Sequence, residues 1–328
     1  METNNSSSPY PSPRRSPSRI DPQRGIISRF NKKSFFKSII LLFVLFLFSC
    51  GEQKPDTEKQ FSITDDIGNV IELKKKPDKI ISLAPSITEA LYSIGADSLL
   101  IGVTSYCNYP EAAKTKTIIG GMLDPNLEII TSLKPDLILL TVEGNSQSSY
   151  QALTNAGFKI FVSNPRDLQG IKKMLSDFGK ICGKENNSEL LINKIDSSEN
   201  SFIEITNKII PKPKALILVS INPLITVNKT TYINQVANLS GYDNIYSNEP
   251  IPYPTINYED VILKNPDFII LTSELTDEKG YYLKELGKYL NTTNAFRRNK
   301  IISVNADLIS RPGPRIIQAI ESLINSHL

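Results

Sequence analysis

Two stretches of this chain set a short amphipathic segment ahead of an unbroken apolar run, and they do so in the same order. Asn126–Thr141 reads Asn-Leu-Glu-Ile-Ile-Thr-Ser-Leu-Lys-Pro-Asp-Leu-Ile-Leu-Leu-Thr. Asn257–Thr272 reads Asn-Tyr-Glu-Asp-Val-Ile-Leu-Lys-Asn-Pro-Asp-Phe-Ile-Ile-Leu-Thr. Asn, Glu, Pro, Asp and Thr recur at one offset. Each copy predicts a short helix, a Pro-Asp turn and a strand. The leading Asn is a good N-cap, and the Glu falls in the first turn, where the helix dipole favours an anion. Pro135 and Pro266 stop the helices. Leu137–Leu140 and Phe268–Leu271 have no polar interruption, as expected of strands covered on both faces of a parallel sheet. Two copies this far apart are too few for a solenoid and predict two similar α/β lobes.

The remaining pattern fills in around them. Phe61–Leu73 alternates as a small hairpin with Asp66-Ile67-Gly68-Asn69 near its turn. Lys79–Ala84 reads as a buried strand, and Pro85 opens a helix ended by Gly95 in which Ser86 and Glu89 have capping-box spacing. Leu100–Val103 and Phe158–Val162 are further strands. Between 167 and 209 no strand pattern occurs. Leu168, Ile171, Met174, Leu175, Phe178 and Ile181 keep helical spacing, as do Leu190, Leu191 and Ile195, so a long helix, broken near Gly183, is expected to join the lobes. Lys214–Val219 begins the second lobe, followed by a helix over Tyr232–Leu239, a strand over Ile301–Val304 and a final helix opened by Ser310–Arg315. The expected divisions are 1–50 leader, 51–76 tether and hairpin, 77–165 first lobe, 166–210 connecting helix and 211–328 second lobe.

Composition changes the reading of the N-terminus. Residues 4–24 are rich in Ser, Pro, Asn and Arg, a disordered composition. Lys32, Lys33 and Lys37 then precede an apolar run, Ile39–Phe48, which is short for a bilayer span and of signal-peptide length. The run ends in Ser49-Cys50-Gly51, which resembles a bacterial lipoprotein signal with Cys50 as the acylated residue. That implies attachment to a membrane in the periplasm or cell envelope, with 51–59 as a polar tether. The leader also accounts for the net charge of +3: residues 1–50 carry eight Lys or Arg against Glu2 and Asp21, leaving the rest at −3. A mildly acidic body gives no electrostatic reason to bind nucleic acid.

The chemistry on offer is that of binding. His327 is the only histidine, and a metal site would want several His, Cys or carboxylate ligands together. A Ser/His or Cys/His nucleophile fails for the same reason, and no Walker-type loop is present. No enzyme is expected; of the alternatives in other classes, a membrane-anchored enzyme would need a catalytic constellation, which is not found here, and a structural lipoprotein would show a filled cleft. Cys107 and Cys182 could pair in an oxidising compartment or remain separate buried thiols. Two α/β lobes place their loops around a cleft, here lined by Pro85, Ser86, Tyr106, Tyr109, Gly120, Gly121, Met122, Asn222, Pro223, Tyr253 and Arg311. Rings with a few polar groups suit a large, flat, partly apolar ligand.

Lys79–Glu89, Gly102–Pro110, Asn126-Leu-Glu128 and Leu133–Asp136 together resemble the substrate-binding proteins of ABC importers for cobalamin, iron–siderophore and haem, over about residues 77–328. Ile221–Leu224, Asn234–Val236, Asn244-Ile245 and Ile251–Pro254 are most similar to the cobalamin binders of that family. The resemblance implies the periplasmic-binding-protein fold of helical-backbone type: two Rossmann-like lobes on one rigid helix, closing little on ligand. It implies a corrinoid or iron chelate as transported ligand, with no resident cofactor. It also implies an ABC permease dimer with ATPase subunits as partner, docked through one exposed Glu per lobe, Glu128 and Glu259. The cobalamin binders have Trp near the positions of Met122 and Tyr253, and this chain has no Trp. An anionic iron complex would call for more arginine in the cleft than Arg311 and Arg315.

Overall fold

Asp65 organises the first element. Its carboxylate accepts the backbone N–H groups of Ile67 and Asn69, closing the hairpin of β1 (Phe61–Thr64) and β2 (Val70–Leu73). A computed structural model of the protein describes residues 61–272 and 279–326, so Cys50, its leader, the tether and His327 lie outside the described residues. The hairpin is pinned to the first lobe: Asp66 N–H donates to the Val162 carbonyl, and its carboxylate accepts from Asn164 N and Lys173 Nζ. Ile71 and Leu73 enter that lobe's core.

The first lobe is a parallel sheet in the order β5 (Thr117–Ile118), β4 (Leu100–Val103), β3 (Ile80–Ser82), β6 (Leu137–Thr141), β7 (Ile160–Ser163). The second is a parallel sheet in the order β11 (Asp243–Asn244), β8 (Lys214–Leu218), β12 (Phe268–Thr272), β13 (Ile301–Val304), with α8 (Lys279–Leu290) and α9 (Asn294–Arg297) between β12 and β13 in the chain. The repeat therefore supplies the same strand twice. β6 lies between β3 and β7, β12 lies between β8 and β13, and every residue of both is buried. A small antiparallel pair, β9 (Ser220–Ile221) and β10 (Leu224–Ile225), turns at Asn222-Pro223.

The repeat's other signals act as expected. Asn126 caps α2 (Leu127–Leu133) by accepting from Glu128 N and Ile129 N; Asn257 caps α7 (Tyr258–Lys264) by accepting from Asp260 N. Both helices end in a left-handed residue, Lys134 or Asn265, just before the proline. The aspartates that follow tie each new strand to its neighbour. Asp136 accepts from Asp78 N and Lys79 N, both at 2.9 Å, while its own N–H donates to Lys79 O. Asp267 likewise accepts from Lys214 N at 3.1 Å and donates to Lys214 O at 2.8 Å.

Besides α2, three helices belong to the first lobe: α1 (Pro85–Ser93), α3 (Gln147–Asn155) and α4 (Leu168–Cys182). The helix expected over 167–209 does break at Gly183, and its two arms are antiparallel helices instead of one rod. Gly183, at φ +66°, reverses the chain, and α5 (Glu185–Thr206) runs back along α4. Lys172 on α4 meets Asp196 at 2.6 Å and Glu199 at 3.0 Å on α5. Apolar spacing alone does not show such a reversal, because both arms keep it. α5 by itself makes the link: its 22 residues span about 33 Å at the α-helical rise, and it packs on α6 (Tyr232–Leu239) and α11 (Ile316–Ile324) of the second lobe. One core runs through both lobes, from Ile87 and Phe178 to Tyr242 and Ile320, and a separate apolar cluster covers the opposite face of each sheet. The capping box expected at Ser86 and Glu89 does not form, because the helix starts at Pro85 with Ala84 as its cap and Glu89 is engaged elsewhere.

Candidate functional site

Parallel strands present their C-terminal ends on one side, and loops from those ends carry most of the predicted cleft residues. Pro85 and Ser86 follow β3; Tyr106 and Tyr109 follow β4; Gly121 and Met122 follow β5; Asn222 and Pro223 follow β8; Arg311 follows β13 and α10 (Ala306–Ile309). Tyr253 comes from the loop ahead of α7. The three tyrosines are open to solvent, with Tyr106 59%, Tyr109 44% and Tyr253 46% exposed. Asn222 and Pro223 are exposed, and Gly121 and Met122 are half-buried. Pro85 and Ser86 are buried. Gly313 of the second lobe lies over them, so close that a side-chain carbon there would sit 3.6 Å from the Ser86 carbonyl oxygen. Tyr253 senses the opposite lobe: burial, and then the charge of Glu143, push its phenol pKa up against the pull of Arg166.

Asn145, which sequence reasoning missed, holds the floor of the first lobe. Its Nδ2 donates to Leu83 O at 2.9 Å and Met122 O at 2.8 Å, and its Oδ1 accepts from Thr141 N at 2.9 Å. Three loop starts are thereby fixed by one amide. Met122 lies against Gly144, where any side chain would bring a carbon to 2.5 Å from its methyl. The only prior signal was an Asn placed soon after the first apolar run.

Sequence reasoning also missed the partners of Arg311. Glu89, on α1, has a side chain only 1% exposed. It accepts from Arg315 Nε at 2.7 Å and Nη2 at 2.6 Å, a bidentate pair, and from Arg311 Nη1 at 2.9 Å. Arg311 further meets Asp307 at 2.6 Å and Asn108 Oδ1 at 2.8 Å, and Asn108 Nδ2 donates to Asp307 Oδ2 at 3.0 Å. Two arginines of the second lobe and two carboxylates, one from each lobe, form a balanced cluster across the cleft. A planar guanidinium fork suits this geometry as no ammonium could. A second tie lies nearby: Leu168 N, at the start of α4, donates to Gln235 Oε1 of α6 at 2.8 Å.

Glu128 and Glu259 sit away from this cluster, each exposed in the first turn of its repeat helix. Among the described residues neither carboxylate has an ion pair or hydrogen bond, so the asparagine caps leave both free. Pro125, Leu127, Ser148, Ser149, Ala152 and Leu153 form a recess of about 250 Å³ next to Glu128. Cys107 and Cys182 are separate, free and buried. Burial pushes the Cys182 thiol up to about 12, so it is unreactive at neutral pH. Among the described residues no group of three His, Cys, Asp or Glu is placed to hold a metal, and no helix is long and apolar enough to cross a membrane.

Known proteins are similar to this chain in sequence and fold. A family model described as periplasmic binding protein matches residues 80–308. The ABC transporter substrate-binding lipoprotein YvrC of Bacillus subtilis is 28% identical over 312 residues, covering 90% of this chain and 97% of that protein. The vitamin B12-binding protein of Photorhabdus laumondii is 31% identical over 252 residues, covering 75% of this chain and 86% of that protein. The crystal structure of the periplasmic vitamin B12 binding protein BtuF of Vibrio cholerae superposes with a TM-score of 0.69 at 26% identity, over 76% of this chain and 96% of that one.

Proposed function

Because this chain belongs to the periplasmic binding protein family, we propose that it is the substrate-binding component of an ABC importer and that it captures a corrinoid between its lobes. Its relatives' names support the transport role, YvrC as a lipoprotein of such a system and two others as vitamin B12 binders. The observation that carries the choice of ligand is the charge balance at the cleft. Arg311 and Arg315 are held by Glu89 and Asp307, so neither offers an unspent cation to a haem propionate or an anionic ferric chelate, and the charge of Arg166 near Tyr253 is opposed there by that of Glu143. What the cleft offers instead is the exposed side chains of Tyr106, Tyr109 and Tyr253, the Tyr109 ring lying against Arg315 on one side. That combination suits a broad, flat ligand with a neutral amide rim, which is the chemistry of cobalamin.

Glu128 and Glu259 are the proposed contacts with the permease. They stand at matched places in two similar lobes, which suits a partner that is itself a symmetric dimer with its ATPase subunits. The recess beside Glu128 would add an apolar contact at that end. Cys50 is the proposed lipid anchor, holding the protein at a membrane of the periplasm or cell envelope.

The ligand is tested by titrating the purified full-length protein with cyanocobalamin, haem and a ferric siderophore, followed by absorbance and calorimetry. One cyanocobalamin per chain, in preference to the other two, is expected. Saturable binding of haem or the ferric siderophore alone would overturn the corrinoid reading and leave the transport role standing.

A further inference from the structure

The cross-lobe cluster holds more than the lobes. Arg315, its fork occupied by Glu89, lies with its guanidinium carbon 4.1 Å from the centre of the Tyr109 ring. Arg311 takes Asn108 Oδ1 at 2.8 Å and reaches the Tyr106 carbonyl at 3.4 Å. The loop that follows β4 is thus gripped at three successive points, Tyr106, Asn108 and Tyr109, by the opposite lobe. Both arginine side chains are 14% exposed, and a guanidinium stacked at this distance restricts the ring beneath it. Glu89 is the carboxylate common to both arginines.

We infer that Glu89 is a positioning residue for the ligand wall. Acting through Arg311 and Arg315, it sets the Tyr109 ring and the Tyr106 backbone, so that the first lobe's aromatic wall is placed by the second lobe. The consequence for affinity rests on the reading of the cleft as a corrinoid site; the effect on Tyr109 does not. Glu89→Gln keeps the shape and removes the charge. Arg315→Lys keeps the charge and removes the planar fork and the stack, and it carries the test if Glu89→Gln does not fold.

The experiment is fluorine NMR of full-length protein labelled with fluorotyrosine, with the Tyr109 signal identified by Tyr109→Phe and no ligand present. Both variants should move the Tyr109 signal and leave in place that of Tyr289, which stacks on Tyr258 and touches no member of the cluster. Both should then weaken cyanocobalamin binding about tenfold, in line with the loss of a stacked, directional contact. A lowered melting temperature with the Tyr109 signal unmoved would make Glu89 a structural ion-pair partner only and overturn the inference. A moved signal with unchanged cyanocobalamin affinity would overturn its link to binding. A moved signal in a protein whose wild type binds no cyanocobalamin would uphold the positioning and overturn the ligand assignment instead.

Discussion

Asp136 and Asp267 do the same job in the two lobes, whereas Glu89 has no counterpart. In each repeat the aspartate after the proline ties the incoming strand to the lobe's first strand through paired backbone bonds. The lobes part company just beyond that first strand. After β3 the chain enters α1, which carries Glu89; after β8 it makes the small β9–β10 turn before reaching α6. The arginines that answer Glu89 follow β13, and the strand at the matching place in the first lobe, β7, leads instead into the α4–α5 hairpin. The duplicated parts hold sheets together, and the parts that were not duplicated meet across the cleft.

Replacing one member of each set tests that division. The largest loss of stability is expected for Glu89→Ala, which strands two mostly buried arginines beside each other; breaking a buried pair costs about 3–5 kcal/mol. Chemical denaturation of variant and wild type measures it, and a loss no larger than that of a surface substitution would show that the cluster is not coupled to folding. Asp136→Ala and Asp267→Ala should each cost about 1 kcal/mol, for one or two backbone amides losing a charged acceptor. The two losses should be alike, and a large cost at one site alone would break the equivalence of the lobes.

The shared core adds an alkaline limit. Burial pushes the Cys182 thiol from 9.0 up to about 12 and the Tyr242 phenol from 10.0 up to about 12. Both groups are charged when deprotonated, so between these values the unfolded chain has released protons that the folded chain retains. Stability from these groups is whole below pH 9 and falls as pH rises towards 12, by up to about 1.4 kcal/mol per pH unit for each group. In Cys182→Ala the fall should begin above pH 10 in place of 9, as read from urea midpoints across that range. The smallest effect is expected at Glu128 and Glu259. Alanine at both should change stability by less than about 0.5 kcal/mol and leave cyanocobalamin affinity intact. Uptake through the permease into vesicles should drop sharply and complex formation should become less salt-sensitive. Normal uptake would reject the docking role.

Most of the frame was legible because it is local. The hairpin, the caps at Asn126 and Asn257, the helix at Tyr232–Leu239 and the strand at Ile301–Val304 are all written in spacings of a few residues. Two kinds of feature were not. α3 escaped notice because only Leu153 of its nine residues is buried, which leaves little apolar periodicity to read. The cluster escaped because its members lie 222 and 226 residues apart. Read alone, Glu89 looked like half of a capping box and Arg311 like a ligand contact. The fold-back at Gly183 shows a third limit, since a glycine within a helical pattern marks a break without its direction.

A corrinoid held between tyrosines of opposite lobes should lose affinity when both rings are removed, as calorimetry of cyanocobalamin binding to the Tyr106→Ala/Tyr253→Ala double variant would measure. Each truncation removes aromatic contact area and should weaken binding by about 1–3 kcal/mol. The double variant should therefore bind at least tenfold more weakly than wild type while keeping its melting temperature, because both rings are largely exposed. Wild-type affinity in the double variant would contradict the claim.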